Sequence, residues 1–504
     1  MSGLPKGWIW TITGDVCESV RDGTHDTPKY VEKGVPLITS KNLRNGYIEF
    51  SNARNISKED HEEISKRSGV ENGDIVFAMI GTLGNPVVIN SDRQFSIKNV
   101  GLFKKNELVI NSNYLRFWLD SYIFWDIIKS KDFIKGSTQK FISLHHLRNI
   151  PLPLPPLNEQ RRIVAKLDRL FARSRSAREE LERIPKLCDR YKQAILAAAC
   201  SGRLTADWRE QNPHIENASE LFKTIQERRK EGYEKDCIAA KAQGRRKPKA
   251  LDDSGFEEFE LQISEDFNSP ESWVTCNCRM LADFITDGEH ATPERTEEGV
   301  LLLSARNIQN GFLSLEKVDY IPEYEYERII QRCHPQKNDI LISCSGSVGR
   351  ICRVPEGLKF TMVRSVALLK LQYNLDLSLY LELFFQAEIT QNQINKLQKS
   401  TAQANLFIGQ IGKITILLPP SAEQKEIVQR VEKLFKAIDL MTQEYQKASK
   451  LLDRLDQATL AKAFRGELVP QDPNDEPAAA LLERILAERQ NQTPAKRGST
   501  KKAR

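Results

Sequence analysis

The chain has 504 residues, which is room for about three or four domains of ordinary size. With a mean hydropathy of −0.47 and no run of about 18 apolar residues, the sequence excludes a membrane-spanning helix. The N-terminus has no basic region followed by an apolar stretch, so we expect no signal peptide and a cytoplasmic protein. A net charge of +6 is too small to identify a nucleic-acid-binding protein by itself.

The first feature along the chain is a stretch that occurs twice. The stretch "DGTHDTPKYVEKGVPLITSKNLRNG" begins at Asp22, and "DGEHATPERTEEGVLLLSARNIQNG" begins 265 residues later at Asp287, with no gap between the copies. Self-similarity over such a distance predicts a duplicated module. Glycines fall at identical spacing in the copies, which indicates shared turns that support a common frame: Gly23, Gly34, Gly46, Gly288, Gly299 and Gly311.

The repeat continues through an apolar strand and a loop. "NGDIVFAMIGTLG" from Asn72 matches "NDILISCSGSVG" from Asn338, and each predicts a polar turn, a strand and a Gly/Ser-rich loop. "IPLPLPPLNEQRRIVAKLDRLFA" from Ile150 then matches "ITILLPPSAEQKEIVQRVEKLFK" from Ile414 at an offset of 264. The sequence therefore predicts one unit of about 200 residues, used twice.

Each unit ends in a long predicted helix. A proline pair precedes both helices, Glu159 and Glu423 fall in the first turns, and Gly202 and Gly466 stand where the helices should end. Pro185 interrupts the first helix, where we expect a kink or a break. Apolar side chains recur in alternating steps of four and three, which is typical of a coiled coil and is harder to reconcile with ordinary core helices. The seam residues are Ile163, Leu167, Leu170, Leu181, Ile184, Tyr191, Ile195, Ile427, Val431, Leu434, Ile438, Tyr445, Leu452 and Leu455.

A weaker similarity follows each long helix. "NASELFKTIQERRK" from Asn217 and "EPAAALLERILAERQ" from Glu476 predict short helices of similar pattern. Beside them lie "KAQGRRKPKA" and the tail "TPAKRGSTKKAR", which are basic, lack apolar periodicity and are expected to be solvated.

No catalytic or metal-binding motif is found in the sequence. The nine cysteines include no CxxC pair, and the spacing of Cys276, Cys278, Cys333 and His334 is poor for zinc, so packed free thiols are the simpler interpretation. The phosphate-binding GxxxxGK[ST] loop, HExxH, GxSxG and a GxGxxG after a strand are absent, as is the Asn-Pro-Pro-aromatic motif of amino-group methyltransferases. We therefore expect no catalytic residue, no metal and a protein that recognises instead of catalysing.

The chain resembles the specificity subunits of type I restriction–modification enzymes over nearly its whole length. The resemblance rests on "GSTQKFISLHHLRNIPLPLPPLNEQRRIV", "QAILAAACSGRLTADWR", "LPPSAEQKEIVQRVEKLF" and "LAKAFRGELVPQDPNDEPAAALLERI". One departure is that "GSTQ" from Gly136 becomes "STAQ" from Ser400 in the second copy.

The resemblance implies an α+β fold, with two α/β target recognition domains separated by two long antiparallel coiled-coil helices and related by an internal pseudo-twofold repeat. The expected domains are a first recognition domain, a first spacer helix, a linker with a short helix and a basic stretch, a second recognition domain, a second spacer helix, and a C-terminal short helix with a basic tail. Their boundaries are, in the same order, 1–153, 154–204, 205–265, 266–417, 418–467 and 468–504.

The implied function is sequence recognition for DNA methylation and phage defence. Each recognition domain would read one half of a bipartite asymmetric site in double-stranded DNA, and the helices would set the spacer between the halves. The chain would recruit two methyltransferase subunits for adenine-N6 methylation and two restriction subunits for cleavage. S-adenosylmethionine, ATP and Mg²⁺ would be bound by those partners, with no cofactor on this chain.

Candidate DNA contacts are polar side chains in the repeated loops, because amide and guanidinium groups read base edges while Lys, Ser and Thr hold phosphates. They are Lys41, Asn42, Arg44, Thr82, Lys98, Gln139 and Lys140 in the first module, and Arg306, Asn307, Ser345, Ser347, Arg364 and Gln403 in the second.

Two other classes of protein remain open from the residues themselves. One is a coiled-coil scaffold that holds protein partners and does not read DNA, which loss of sequence-selective binding in the presence of partners would favour. The other is a nuclease or methyltransferase with an unfamiliar site, which binding of S-adenosylmethionine or a divalent metal by the isolated chain would support.

Overall fold

The structure, a computed structural model, describes residues 3–44, 46–244, 247–248, 269–398 and 405–492, with side chains to 489. The chain divides into two compact units. Unit 1 comprises Met1–Glu182 and Gln446–Arg504, and unit 2 comprises Arg183–Tyr445. Residues 245–246 and 249–250 of the predicted basic stretch at 241–250, and all of the predicted basic tail at 493–504, lie outside the described residues.

The first module belongs to unit 1 and mixes strands with short helices. Its elements in chain order are β1 Ile9–Ile12, α1 Thr13–Val16, β2 Val20–Asp22, β3 Tyr30–Val31, β4 Val35–Ile38, β5 Leu43–Arg44, β6 Tyr47–Ile48, β7 Arg54–Ile56, α2 Lys58–Ser68, β8 Ile75–Ala78, β9 Gly84–Val88, β10 Ser96–Ile97, β11 Val100–Phe103, α3 Ser112–Asp120, α4 Tyr122–Ser130, β12 Ile134–Lys135, β13 Phe141–Ile142, α5 Leu144–Arg148 and β14 Pro151–Leu154.

Two helices follow the first module and lead into unit 2. They are α6 Leu157–Leu181, which lies in unit 1, and α7 Ile184–Cys200, which lies in unit 2. Unit 2 continues with α8 Ala206–Gln211, α9 Ala218–Ala242, β15 Val274–Asn277, α10 Cys278–Leu281, β16 Phe284–Asp287, β17 Val300–Leu303, β18 Ile308–Gln309, β19 Phe312–Leu313, β20 Asp319–Ile321, α11 Glu323–Ile330, β21 Ile340–Ser343, β22 Ile351–Arg353, β23 Phe360–Met362, β24 Val366–Lys370, α12 Leu377–Gln386, α13 Glu388–Gln398, α14 Ile408–Gly412 and β25 Thr415–Leu418.

The last two helices are α15 Ser421–Phe464, which contributes to both units, and α16 Ala478–Gln492. The two short helices predicted from the sequence are therefore present as α9 and α16, although α9 is longer than its pattern indicated.

The two modules have the same strand order, which confirms the duplication. A sheet ordered β2-β11-β8-β9 in the first module corresponds to β16-β24-β21-β22 in the second. The second sheet is β10-β4-β7-β3 in the first module. Its counterpart in the second module, written in the same direction, is β23-β17-β20, in which the described residues place no strand corresponding to β3. The pairs β10–β4 and β23–β17 are both parallel. The central strands β8 and β21 are buried at every position, so both of their faces are covered, and every residue except Ser343 is apolar.

The long helices run antiparallel within each unit. In unit 1, Ser174 Oγ of α6 donates to Asp456 at 2.7 Å, and Arg178 donates to Asp453 at 2.5 Å, so rising residue numbers in α6 meet falling numbers in α15. In unit 2, Lys192 Nζ of α7 lies 2.7 Å from Asp439 of α15. The fold class expected from the sequence is confirmed: two α/β modules accompanied by long antiparallel helices.

The helix boundaries follow the sequence signals closely. Each proline pair directly precedes its helix, and Pro185 coincides with a break between α6 and α7 while α15 continues for 44 residues. Gly202 and Gly466 follow the helix ends with φ of 74°. Glycine is required there also by space, because a Cβ would lie 2.5 Å from Pro270 and 2.3 Å from Pro5, respectively.

The predicted seam is buried only in part. Tyr191, Leu434 and Leu455 are exposed by 55%, 38% and 56%, so these positions do not pack against a helix of their own unit as a continuous coiled coil would require. Five seam residues are buried, namely Ile163, Leu167, Ile427, Val431 and Ile438. Six are of intermediate exposure, namely Leu170, Leu181, Ile184, Ile195, Tyr445 and Leu452.

Candidate nucleic-acid interface

A short 3-10 turn at Ser40–Asn42 begins the polar surface of the first module. The Asn42 amide oxygen accepts from the Thr39 N–H at 3.0 Å, and its nitrogen donates to the Glu49 carbonyl at 3.1 Å. In the second module, Asn307 makes the same bonds to Ser304 and Ser314 at 2.9 and 3.0 Å. Both amides are buried and hold the turn, and Asn42 also lines the concavity described next. The predicted DNA contacts of Asn42 and Asn307 stay predictions.

The remaining candidates of the first module converge on one concavity of 640 Å³. The candidates there come from four chain segments, namely the turn just described with β5, the loop after β8, the residues between β10 and β11, and the β12–β13 hairpin loop. The hairpin is fixed against β8, since the Gly81 N–H donates to the Lys140 carbonyl at 2.9 Å. Lys140 itself is exposed in the hairpin loop but does not line the concavity, whereas these five candidates do: Lys41, Arg44, Thr82, Lys98 and Gln139.

The lining of this concavity is cationic. Four cationic side chains, Lys41, Arg44, Arg54 and Lys98, face one carboxylate, Glu49, which lies 3.6 Å from the Arg44 Nε. A duplex presents about one negative charge per 1.7 Å of its axis, so this balance suits a DNA-facing surface. The +3 balance of residues 1–150 could not show it, because it depends on which side chains the fold brings together.

Three residues of this lining were missed by sequence reasoning. Arg54 lies on β7 with its guanidinium carbon 4.7 Å from the centre of the Tyr30 ring, and Asn52 and Asn99 complete the polar rim. Asn99 could have been found, because it follows Lys98 in the same loop. Arg54 gave no comparable signal, since only the pairing of β7 with β4 places it beside the turn.

The candidates of the second module are less concentrated. Ser345 and the exposed Arg364 line a concavity of 690 Å³ beside α14. Arg306 instead pairs with Asp319 at 2.8 Å, and Ser347 is exposed outside that lining. Gln403 lies outside the described residues.

This second concavity differs in chemistry from the first. Its lining includes Asp287, His290 and the exposed Phe407, with Arg364 as its one Lys or Arg side chain among the described residues. Burial raises the pKa of the Cys344 thiol at its floor to about 12, so that thiol stays protonated and is neither a nucleophile nor a thiolate ligand. Two similar frames thus carry different surfaces.

Neither unit assembles a metal site from the residues that the structure describes. No group of three or more His, Cys, Asp or Glu side chains is placed to hold an ion in that part of the chain. All nine cysteines are free thiols and eight are buried, which confirms the interpretation of packed thiols. Among the described residues, no helix is long and apolar enough to cross a membrane.

Comparison with known proteins gives a consistent result. The family model described as "Type I restriction modification DNA specificity domain" matches residues 5–186 and 299–450. The type I restriction enzyme EcoBI specificity subunit of Escherichia coli is 30% identical over 360 residues, covering 70% of this chain and 67% of that protein. The EcoKI specificity subunit of Escherichia coli strain K12 is 26% identical over 509 residues, covering 96% of each.

A solved structure supports the fold at a lower identity. A chain from the work "Structural basis underlying complex assembly and conformational transition of the type I R-M system" superposes with a TM-score of 0.57 at 20% identity, covering 93% of this chain and 100% of that one. The two regions matched by the family model cover the first module with α6, and most of the second module with part of α15. The chain belongs to the DNA specificity subunits of type I restriction–modification systems, whose role is recognition of DNA sequence.

Proposed function

We propose that each module reads one half of a bipartite, asymmetric DNA site. The observation that carries this proposal is that two modules with the same strand order and the same turn hydrogen bonds differ in the side chains around their concavities. A common frame with different surfaces suits two readers of different sequences. Two identical readers would instead favour a symmetric site.

The first concavity supplies suitable groups for base reading. Arg44 and Gln139 carry the guanidinium and amide groups that pair with two acceptors or with a donor and an acceptor on a base edge. Lys41 and Lys98 supply point charges suited to phosphates. In the second module, Arg364 and Ser345 have the corresponding chemistry. These contacts, with those of Thr82, Lys140, Arg306, Ser347 and Gln403, remain predictions.

The long helices provide the spacer in this proposal. A helix rises about 1.5 Å per residue, so α15 alone measures about 66 Å. The proposal keeps the domain boundaries predicted from the sequence, namely 1–153, 154–204, 205–265, 266–417, 418–467 and 468–504. The stretch of DNA left unread between the half-sites would follow from the helix length.

The helices also offer a surface for partner subunits. Exposed apolar side chains favour protein contacts when they cluster, and several lie on α7 and α15: Leu187, Tyr191, Leu434, Leu440, Met441, Leu451 and Leu455. A duplicated chain presents related surfaces twice, which suits two methyltransferase and two restriction subunits. S-adenosylmethionine, ATP and Mg²⁺ belong to those partners in this proposal, and the complex would act in the cytoplasm.

The proposal is tested by mapping N6-methyladenine in cells that express this chain with its cognate methyltransferase subunit. We expect a new motif in two parts separated by a fixed gap, and none in cells with the methyltransferase alone. Replacing Arg44 with Ala should relax one half of the motif and leave the other unchanged, since losing a bidentate base contact costs about 1–3 kcal/mol of discrimination.

Lys58→Ala is the matched control for charge, because Lys58 is exposed on α2 of the same module and does not line the concavity. Cells with this variant should show the same methylated motif as cells with the parent chain. A stable complex that writes no motif would contradict sequence reading and favour the scaffold. Relaxation of both halves by Arg44→Ala would contradict the division between modules.

A further inference from the structure

The turn Asp-Gly-x-His is built identically in the two modules. In the first module, His25 Nε2 lies 2.9 Å from Asp22 Oδ2, and in the second, His290 Nε2 lies 2.8 Å from Asp287 Oδ2. An arginine donates to the other carboxylate oxygen at 2.5 Å in both cases, Arg67 in the first and Arg332 in the second. These residues are related by the same 265-residue offset, yet the arginines lie 45 residues from the turns they support.

Backbone contacts fix each turn against the strand beside it. A Cβ on Gly23 would lie 2.3 Å from the Ile97 carbonyl oxygen, and one on Gly288 would lie 2.1 Å from that of Met362, so only glycine allows this approach. The Thr24 N–H donates to Ile97 at 3.0 Å, and the Glu289 N–H donates to Met362 at 2.8 Å. The turn is therefore positioned as rigidly as the sheet.

These contacts bring each histidine to the candidate interface. The Asn99 N–H donates to the Thr24 carbonyl at 3.2 Å, next to Lys98, and the Arg364 N–H donates to the Glu289 carbonyl at 2.9 Å. His25 Nδ1 lies 3.1 Å from the Asn99 side-chain oxygen, and Asn99 lines the first concavity. His290 itself lines the second.

The charges of the cluster favour an anionic ligand. The aspartates are nearly covered, with side-chain exposures of 5% and 16%, while the histidines are exposed by 57% and 54%. Each aspartate is balanced by its arginine, so a histidine protonated on both nitrogens adds one net positive charge. The other charged side chains beside the turns are Lys98 in the first module, and Arg364, Glu289 and Arg328 in the second.

We propose that His25 and His290 are matched contacts to the phosphates of duplex DNA, one in each module, with Asp22 and Asp287 as the residues that orient them. This inference rests on the proposed function and extends it to a sequence-independent pair of contacts. With Nε2–H directed at the carboxylate, Nδ1–H of His290 is left to donate to a phosphate oxygen. Nδ1–H of His25 faces the Asn99 Oδ1 at 3.1 Å and would exchange that acceptor for the phosphate oxygen.

A contact to the phosphate backbone of DNA explains why the histidine is the same in both modules while the residues beside it differ. The positions of Lys98 and Asn99 correspond to Val363 and Arg364, so the loop beside the turn has diverged between the modules. Side chains that read different bases must differ, whereas phosphates are the same in every half-site. The repeated histidine therefore suits the part of DNA that does not vary.

The test measures binding of the complex of this chain with its methyltransferase subunit to duplexes over a salt series at about pH 6, where an ordinary histidine is largely protonated. The variants are His25→Gln, His290→Gln, the double variant and His25→Lys. The duplexes are one with the mapped motif and one with the same composition scrambled. His214→Gln is the matched control, since His214 is exposed and outside both modules.

Each single glutamine variant should weaken binding to both duplexes by the same factor and lower the slope of log affinity against log salt by about 1, and the double variant by about 2. His25→Lys should restore the slope, because it retains a cation. The mapped motif should be unchanged, and His214→Gln should have no effect.

Three results would overturn the inference. An altered half-site base would make the histidine a base reader. Unchanged affinity and slope in the glutamine variants would make the turn purely structural. A slope that His25→Lys fails to restore would show that charge is not the property that acts. Failure of the proposed function is a separate outcome, namely a parent complex that binds the motif and the scrambled duplex equally.

Discussion

Asp283 is a buried carboxyl group with an incomplete set of partners. Its Oδ2 accepts from the Tyr373 N–H at 3.1 Å, while Oδ1 has no hydrogen-bond partner and the residue is 7% exposed. Burial raises the pKa of Asp283 to about 6, because the charged form loses solvation. The folded chain therefore holds this proton to a higher pH than the unfolded chain, whose aspartates titrate near 3.9.

The expected consequence is a loss of stability as the pH rises from about 4 to 6, since over that window the folded state binds more protons than the unfolded state. Asp283→Asn should remove the loss. Between those pH limits, the free energy of unfolding of the variant should therefore rise relative to that of the parent chain by up to about 3 kcal/mol. Urea unfolding across the pH series measures the difference.

Glu18→Gln is the matched control, because Glu18 occupies the corresponding position of the first module and is exposed. Its free energy of unfolding should change with pH in the same way as that of the parent chain. A constant difference between Asp283→Asn and the parent chain at every pH would contradict the prediction.

At the residue scale, sequence reasoning named loops that the fold brings together around one concavity, but it could not show how each side chain is engaged. Lys41, Asn42 and Arg44 all line the concavity, but Asn42 is buried and its amide bonds the Thr39 N–H and the Glu49 carbonyl. The local sequence around an asparagine in a turn is the same whether its amide faces solvent or caps the turn. Only its partners distinguish the two, and one of them, Glu49, depends on the path of the next strand.

At the element scale, the starts of α6 and α15 are built on the same motif with different electrostatics. Trp8 Nε1 donates to Glu159 at 3.0 Å, and Trp273 Nε1 donates to Glu423 at 2.8 Å. Glu159 is otherwise met by the neutral Gln471 at 3.3 Å, and burial raises its pKa. Glu423 is instead paired with the Arg209 guanidinium and is fully buried.

The same substitution should therefore have unequal costs. Glu159→Gln keeps one acceptor oxygen, which can serve the Trp8 N–H, loses only the acceptor of the neutral Gln471, and should cost about 1 kcal/mol. Glu423→Gln leaves Arg209 largely buried without its counter-charge and should cost about 3 kcal/mol or more. Urea unfolding of the full chain, followed by circular dichroism, compares the two variants directly. Equal costs would show that the ion pair does not distinguish the two helix starts.

The helices were the most predictable elements. Proline pairs, first-turn glutamates and the glycines after each helix are local signals, and the structure confirms them. The tryptophans that bind the glutamates were not predicted, since each lies 150 or 151 residues away along the chain. The incomplete seam was not predicted either, because periodicity shows which face is apolar without showing what covers it.

At the scale of the whole molecule, the duplication allows one module to be exchanged without the other. Replacing residues 1–150 with the equivalent module of another family member should change one half of the methylated motif and preserve the second half and the gap. The reason is that every described residue lining the first concavity belongs to that segment. The measurement is the N6-methyladenine map of the chimera expressed with the methyltransferase subunit.

The reciprocal exchange of the second module is the control and should change the opposite half. A chimera in which both halves change, or neither, would contradict independent reading by the modules.

The core of unit 1 is completed by the C-terminal part of α15 and by α16. Phe464 of α15 lies 5.0 Å from Trp118, measured between ring centres, and the Ala478 N–H donates to the Gly7 carbonyl at 3.0 Å. Leu481, Leu482 and Ile485 of α16 belong to the same core. Unit 2, by contrast, is complete at Tyr445.

This arrangement gives the protein an order of assembly during translation. Ribosomes extend a chain from its N-terminus at about 5–20 residues per second, and the first module is made first. Its core nevertheless waits for α16, which leaves the ribosome after all of unit 2 has been synthesised. The second module in the sequence can therefore finish folding before the first, and a chain that stops early loses the core of the module that was synthesised at the outset.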